Sequence, residues 1–267
     1  MSDPFYIIKP KTKKVPIIIS VPHSGTEFPA EIQGDYLDSQ KKILDDTDWF
    51  VHDVYDFASE LGITIIRAKY SRWAIDLNRD PESKPLYNDG RIITGLCSTT
   101  DFFGKPIYKA AQDPTQAEIE RRLDNYYWPY YNKVQALLDA RKAEFGKVLL
   151  WDAHSIRRLV PTIQKNPFPD MILGNDNGKT ASSGIIDMAF SALKKGLYQI
   201  NHNSPFKGGH ITRYFGKPDE SQHALQLEMN KILYMDDAEM KYDAVRASKV
   251  KSVLKPVFEQ LIKGLAD

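Results

Sequence analysis

Short apolar runs rich in β-branched residues alternate along the chain with segments of helical periodicity. Runs of this kind, bounded by turn residues, predict buried strands at 15–21, 62–68, 73–77, 147–153, 170–174, 197–200 and 223–229. Apolar residues at helical spacing predict helices within 51–61, 119–137 and 250–261. Strands that alternate with helices favour an α/β fold, with a mostly parallel or mixed central sheet covered by helices on both faces.

The segment before the middle helix carries start signals and an irregular stretch. Asp113 suits the N-cap and Pro114 the first helical position, while Pro129 inside the pattern predicts a kink or break. Residues 80–113 lack a regular pattern and are long for a plain connection, so we expect them to help build a site. With no repeat or low-complexity linker, we expect 1–267 to form a single α/β domain.

Composition narrows the class of protein. The 267 residues are 42% hydrophobic and 27% charged, which is typical of a globular protein. The net charge of +1 gives no electrostatic reason to expect nucleic acid or an anionic membrane as a partner. Cys97 is the only cysteine, the N-terminus lacks a signal-peptide pattern, and no apolar run approaches the ~20 residues of a membrane helix. We therefore expect a cytoplasmic protein.

Two histidines directly follow predicted strands. His23 comes after "VPIIISVP" and His154 after "KVLLWDA", and ligands of parallel sheets gather at the carboxyl ends of the strands. A single such histidine could be a structural hydrogen-bonding group, but two of them favour a metal site. Catalytic zinc typically takes three protein ligands, often two histidines and a carboxylate, and makes its bound water acidic enough to be a nucleophile.

Two carboxylates could complete this metal site. Asp48 lies in "LDDTDWF" at the start of a helical pattern, where an aspartate is also a common helix cap. Glu27 lies four residues after His23. We prefer Asp48 and leave Glu27 open.

Further polar residues interrupt apolar stretches in "WAIDLNRDP" and "HALQLEM". Arg79, helped by Asn78, could grip a carboxylate with paired hydrogen bonds, although a structural pair with Asp76 is an alternative. Strand alternation places Glu228 opposite the apolar face of its strand. A glutamate there is costly to bury without a partner, and it would suit a general base beside a metal-bound water.

The segment "FKGGHITRYFG" combines two glycines with His210, Thr212 and Arg213. The glycines permit a close approach of the backbone or positive φ angles. We expect these three side chains to share one face of a strand or flap on the substrate side, with an exposed hairpin as the alternative.

Taken together, these stretches resemble the N-formylglutamate amidohydrolase (deformylase) family. The matching segments occur in the family's order over about residues 15–235: "VPHSG", "DTDW", "YDFASELG", "YSRWAIDLNRD", "LLWDAHSIR", "FKGGHITRYFG" and "HALQLEM". The resemblance implies a fold similar to that of zinc carboxypeptidases. It also implies metal-dependent hydrolysis, with Zn²⁺, of a small-molecule N-acyl amino acid: N-formyl-L-glutamate, cleaved to formate and glutamate in histidine breakdown.

The resemblance also implies roles for individual residues. His23, Asp48 and His154 would hold the zinc ion, and Glu228 would be the catalytic residue. The carboxylates of the substrate would be bound by residues of two segments: Asn78, Arg79 and Arg213, with Arg72 and His210 as further candidates.

Two positions depart from the patterns of related families. Thr26 stands where the carboxypeptidases have a carboxylate ligand, and Phe50 stands where deformylases tend to carry a histidine. Phe50 leaves open a related amidohydrolase that acts on another N-acyl amino acid. A non-catalytic binding protein on the same scaffold is the second alternative, and the native metal and the oligomeric state stay open.

Overall fold

A seven-stranded mixed sheet forms the centre of the computed structural model, which describes residues 3–82, 84 and 95–266. The strands are β1 (Phe5–Ile8), β2 (Ile17–Val21), β3 (Thr64–Ala68), β4 (Val148–Ile156), β5 (Met171–Gly174), β6 (Ile200–His202) and β7 (Gln222–Asn230). Their order across the sheet is β1-β3-β2-β4-β7-β5-β6. The central strands β3, β2, β4 and β7 are mutually parallel, whereas β1 and β5 join them antiparallel. The predicted α/β class is confirmed.

Helices cover both faces of this sheet. They are α1 (Asp38–Ile43), α2 (Val51–Val54), α3 (Gln116–Arg122), α4 (Trp128–Phe145), α5 (Ser183–Leu193), α6 (His210–Phe215) and α7 (Ala244–Ala266). A π-helical turn, Leu123–Tyr127, joins α3 to α4 immediately before Pro129. The predicted irregularity near this proline is confirmed. None of the helices in the described part of the chain is long and apolar enough to cross a membrane.

The two faces of the sheet bury separate apolar cores. Alternate residues of the central strands, such as Ile19 and Trp151, pack with α2, α5 and α7 on one face. On the opposite face Ile18 and Leu150 pack with α4 and α6. Since successive side chains of a strand point to opposite faces, a strand buried on both sides reads as a continuous apolar run. This accounts for "VPIIISV" and "KVLLW".

The second face changes from apolar to polar towards the carboxyl ends of β4 and β7. In register, Leu150 pairs with Ala224, Asp152 with Gln226, and His154 with Glu228. The first pair belongs to the apolar core under α4, and the next two pairs are polar. The strands thus deliver four polar side chains to one edge of the sheet.

Residues 73–77, predicted as a strand, are instead irregular. Their apolar side chains do not line one sheet face but enter two clusters. Trp73 and Ala74 pack in one of them, and Ile75 and Leu77 pack in the core under α4. Burial on two sides therefore produced a strand-like pattern without strand hydrogen bonding.

Two predicted local details are also wrong. Residues 210–215 form helix α6 rather than a strand or flap, so His210, Thr212 and Arg213 do not share a strand face. The N-cap of α3 is Thr115, whose hydroxyl accepts a hydrogen bond from the Glu118 amide at 3.3 Å, and not Asp113.

The long connection expected at 80–113 lies partly outside the described residues. Within it, residues 95–113 contain no helix or strand but contact the irregular segment around Asp76. The carbonyl of Leu96 accepts a hydrogen bond from the Asp76 amide at 2.7 Å. The described part of the connection thus lies against the segment that carries the polar motif "DLNRD".

Gly25 allows the turn after β2 to lie directly on a neighbouring backbone. A Cβ at Gly25 would lie 2.1 Å from the carbonyl oxygen of Tyr70, whereas a Cβ at Gly34 meets nothing within 4 Å. We expect Gly25→Ala to lower the free energy of unfolding by about 1–3 kcal/mol, because the backbone must move to relieve the overlap. Gly34→Ala should be neutral or slightly stabilising. Equal unfolding midpoints for the two variants would contradict this packing.

Candidate active site

Three buried side chains meet where β2 and β4 end. His23 lies two residues beyond β2, His154 lies near the end of β4, and Asp48 lies in the turn before α2. The Asp48 amide donates to the His23 carbonyl at 2.9 Å, which holds this turn against the strand end. Asp48 Oδ2 is 3.1 Å from His154 Nδ1 and 3.7 Å from His23 Nδ1. One ligand atom from each residue lies within 4.8 Å of the others, so the three could hold a metal ion.

The far nitrogen of each histidine faces a second carboxylate. His23 Nε2 lies 2.7 Å from Asp76 Oδ1, and His154 Nε2 lies 3.1 Å from Asp152 Oδ1. The hydrogen bond with Asp76 favours a proton on His23 Nε2 and leaves His23 Nδ1 free to bind a metal, whereas Asp152 contacts His154 as an ion pair without hydrogen-bond geometry. Metal-binding histidines are commonly oriented by such a partner.

Burial and neighbouring charges set the protonation of the cluster. Burial, helped by the Arg72 charge, lowers the pKa of His23 to about 4. Burial also opposes a charged His154, but Asp152 and Asp48 outweigh it and raise the pKa of His154 well above its usual range. For Asp48, burial is outweighed by the hydrogen bond from His154 and by the charges of His154 and Arg72, which lower its pKa. The buried carboxylates thus favour the binding of positive charge at this position.

Glu228 adds another acid to this edge of the sheet. It pairs in register with His154, and its Oε2 accepts a hydrogen bond from Gln226 Nε2 at 3.3 Å. Burial, reinforced by the Asp48 charge, raises the pKa of Glu228 to about 8.

The donor set of the cluster fits a divalent cation such as zinc. It offers two imidazole nitrogens, from His23 and His154, and one carboxylate oxygen, from Asp48, with further carboxylates around them.

Asn78 connects this cluster to the N-terminus of α6. Its Nδ2 lies 3.1 Å from His154 Nε2, and its Oδ1 accepts a hydrogen bond from the Ile211 amide at 2.8 Å. A Cβ at Gly209 would lie 2.1 Å from Asn78 Nδ2, so only glycine permits this contact. Of the two glycines in "FKGGH", Gly209 therefore allows close packing against Asn78, whereas Gly208 adopts a positive φ of 118°.

Arg72 and Arg79 both approach Asp76. Arg72 is buried, its Nη2 lies 2.5 Å from Asp76 Oδ2, and its guanidinium lies 4.9 Å from the centre of the Phe102 ring. Arg79 is more exposed, and its Nε lies 3.8 Å from the same carboxylate oxygen. The structural Arg–Asp pair considered from the sequence exists, and its closer member is Arg72.

Arg213 and His210 lie on α6 with partners of their own. Arg213 Nε donates to the Gly208 carbonyl at 3.0 Å, and its Nη2 lies 3.6 Å from Asp176 Oδ1. His210 lies 3.9 Å from Asp80 Oδ2 and packs against two tyrosine rings, Tyr131 and Tyr214. Substrate-binding roles for these two residues stay predictions.

Glu27 lies outside the cluster, so the alternative ligand is wrong. Its half-exposed carboxylate accepts a hydrogen bond from the Tyr6 hydroxyl at 2.6 Å and lies 3.8 Å from Lys69 Nζ.

Phe50 adopts a left-handed backbone conformation with φ of 61°, and its ring lies 5.5 Å from that of Tyr242. Phe50 thus packs in the apolar core beside α2.

Sequence reasoning missed two parts of the site. It considered Asp76 only as a partner of Arg79 and assigned no role to Asp152, although the i, i+2 spacing of Asp152 and His154 on one strand already places them on one face. It also missed Lys231, which is buried after β7 and whose amine donates to the Asp45 carbonyl at 3.2 Å. A lysine following a strand end carries no periodic signal that distinguishes it from a solvated one.

Comparisons with known proteins identify the family of this chain. The family model for N-formylglutamate amidohydrolase matches residues 15–235. N-formylglutamate deformylase of Pseudomonas aeruginosa is 38% identical over 255 residues, covering 94% of both chains. The enzyme of that name from Pseudomonas putida is 37% identical over 251 residues, covering 93% of both. A crystal structure of N-formylglutamate amidohydrolase from Ralstonia eutropha JMP134 has a TM-score of 0.80 and 26% identity, covering 99% of this chain and 97% of that one.

The fold and the polar cluster define an α/β protein with a potential metal centre at the carboxyl edge of its sheet. The family match over most of the chain makes the assignment more specific: this protein belongs to the N-formylglutamate amidohydrolase family.

Metal binding distinguishes the two carboxylates considered from the sequence. We expect Asp48→Asn to lose most of the bound divalent metal, because the neutral amide is a poorer ligand than the carboxylate between the two histidines. Glu27→Gln should retain wild-type metal content, because Glu27 contacts Tyr6 and Lys69 instead. Elemental analysis of both purified variants after zinc loading and desalting would test this. Equal metal content in the two would contradict the ligand set.

Proposed function

We propose that this protein hydrolyses N-formyl-L-glutamate to formate and L-glutamate, using one divalent metal ion, zinc, held by His23, Asp48 and His154. The observation that carries the proposal is the convergence of these three buried side chains beside Glu228. The relatives named N-formylglutamate deformylase support the choice of substrate.

When bound, the metal would supply a Lewis acid and lower the pKa of a water molecule. Asp76 and Asp152 would keep the two imidazoles oriented with Nδ1 towards the centre. Beside the positive charge of a bound metal Glu228 would be ionised, so it could accept the proton of the attacking water on a carboxylate oxygen and return it to the leaving amine of glutamate. Its position opposite His154 on the adjacent strand supports this role.

Cationic and amide side chains near the cluster would bind the two carboxylates of the substrate. We assign Arg79 with Asn78 to one of them and Arg213 to the other, with Arg72 and His210 as further contacts. Asn78 contacts both His154 and the start of α6, which supports placing the substrate beside these three elements. Arginine suits this task because its fork of N–H groups matches a carboxylate.

The remaining assignments extend the proposal beyond the site. We assign the chain to one catalytic domain, with 80–113 as an elaborated loop region beside Asp76 and with the reaction placed in cytoplasmic histidine breakdown. The hydrogen bond between the Leu96 carbonyl and the Asp76 amide supports the loop assignment.

Phe50 packs against Tyr242, so it no longer favours another N-acyl substrate. The complete set of proposed ligands with Glu228 argues against a non-catalytic binding protein.

The direct test is formate release from N-formyl-L-glutamate by zinc-loaded protein. We expect stoichiometric formate and glutamate, loss of turnover after treatment with a chelator, and recovery when zinc is restored. N-acetyl-L-glutamate and N-formyl-L-leucine serve as controls for the acyl group and for the second carboxylate, and both should turn over more slowly. Absence of formate from a metal-loaded, folded sample would refute the proposed function.

The role of Glu228 can be separated from metal binding. Glu228→Gln should lower kcat by about 10²–10⁴-fold because it removes the proton acceptor, and it should keep wild-type zinc content. Glu220→Gln is a matched control, since Glu220 is an exposed acid just before the same strand. Near-normal kcat in Glu228→Gln would remove this residue from the chemistry.

A further inference from the structure

Residues 71–79 carry Arg72, Asp76, Asn78 and Arg79, yet they form neither helix nor strand. We call residues 71–79 the site segment. Most of its residues are buried. Buried backbone carbonyls need hydrogen-bond partners, and here the regular ladders of a helix or sheet are not available to supply them. The partners of these carbonyls therefore decide how firmly the segment holds its side chains.

Three donors from one continuous helical element bind carbonyls of the site segment. Arg122 Nη1 donates to the Ala74 carbonyl at 3.0 Å. The Tyr131 hydroxyl donates to the Leu77 carbonyl at 2.8 Å, and the Tyr127 hydroxyl donates to the Arg79 carbonyl at 2.8 Å. Asp76 and Asn78 thus lie between carbonyls that are tied to the same helical element.

The π-helical turn explains why these donors share one face. Arg122 and Tyr127 are five residues apart, the span of a π-helical i→i+5 hydrogen bond, and Tyr127 and Tyr131 are four residues apart, close to one α-helical turn. A regular α-helix over 122–131 would rotate Arg122 away from the face of the two tyrosines. The turn therefore aligns all three donors along the site segment.

Arg122 is itself rigidly held. It is completely buried, its Nε donates to Glu118 Oε1 at 2.7 Å, and its Nη1 also donates to the hydroxyls of Tyr36 and Tyr108 at 3.1 and 2.8 Å. Tyr36 in turn donates to the Trp73 carbonyl at 3.0 Å. Because Arg122 is held by all these partners, its hydrogen bond to Ala74 fixes the site segment relative to α3.

We propose that Arg122, Tyr127 and Tyr131 are positioning residues of the active site. They fix the backbone that presents Asp76 to His23 and Asn78 to His154, and so they set the orientation of both proposed histidine ligands. Their effect on metal affinity is independent of the substrate, whereas their effect on turnover rests on the proposed function. None of the three needs to touch the substrate or the metal.

The double variant Tyr127→Phe/Tyr131→Phe removes two hydroxyls and keeps the rings, which stack at 4.2 Å. Tyr130→Phe is the matched control: Tyr130 is buried on the same helix, and its hydroxyl bonds Ser20 Oγ at 2.9 Å instead of the site segment. We expect the double variant to bind zinc about tenfold more weakly in a chelator competition and to lose about 10–100-fold in kcat/KM. Tyr130→Phe should change neither, even where thermal unfolding shows a similar loss of stability.

A second pair tests the arginine. Arg122→Met should weaken zinc binding, whereas Arg121→Met should not, because Arg121 pairs with the same Glu118 but lies towards solvent. Metal affinity and kinetics in the double tyrosine variant that match those of Tyr130→Phe would overturn the proposal. Weaker zinc binding in the double variant, with no formate release by wild type, would instead reject the proposed function and keep the positioning role.

Discussion

The structure of the site depends on the cost of burying carboxylates. Asp48, Asp76, Asp152 and Glu228 all lie at one edge of the sheet, and ionised carboxylates are expensive to remove from water unless they are paired or bind a cation. Arg72 pairs with Asp76, and the two histidines lie among the remaining acids. Such an excess of acid is stable when positive charge joins it, which a divalent metal between His23 and His154 would provide.

The sheet makes this concentration of charge possible without weakening the core. On β4 and β7 the face towards α5 and α7 keeps an apolar centre that includes Trp151, Ala153 and Leu227, while the opposite face turns polar over its last residues. The apolar residues fix the strands, and the strands fix the register of His154 against Glu228. Asp48 and Asp76 come from irregular segments, so their placement depends on individual hydrogen bonds such as that from the Asp48 amide to the His23 carbonyl.

The sequence allowed prediction of the residues placed by strands and little of what irregular segments place. His23, His154 and Glu228 follow from strand ends and alternation, and both patterns survive in the fold. Asp48 and Glu27 could not be separated, because a position along the chain does not say where a turn points. The error at 73–77 has the same origin, since apolar residues that pack into two clusters imitate a strand. The π-helical turn and its tyrosine contacts also lacked a signal beyond Pro129.

We expect a zinc ion to lie between His23 Nδ1, His154 Nδ1 and the Asp48 carboxylate. A crystal structure of the zinc-loaded protein, with anomalous data collected on both sides of the zinc absorption edge, tests it most directly. One strong peak should lie within bonding distance of His23 Nδ1, His154 Nδ1 and Asp48, with Asp76 and Asp152 still facing the Nε2 atoms. Zinc bound through Nε2, or at a site that omits Asp48, would contradict it.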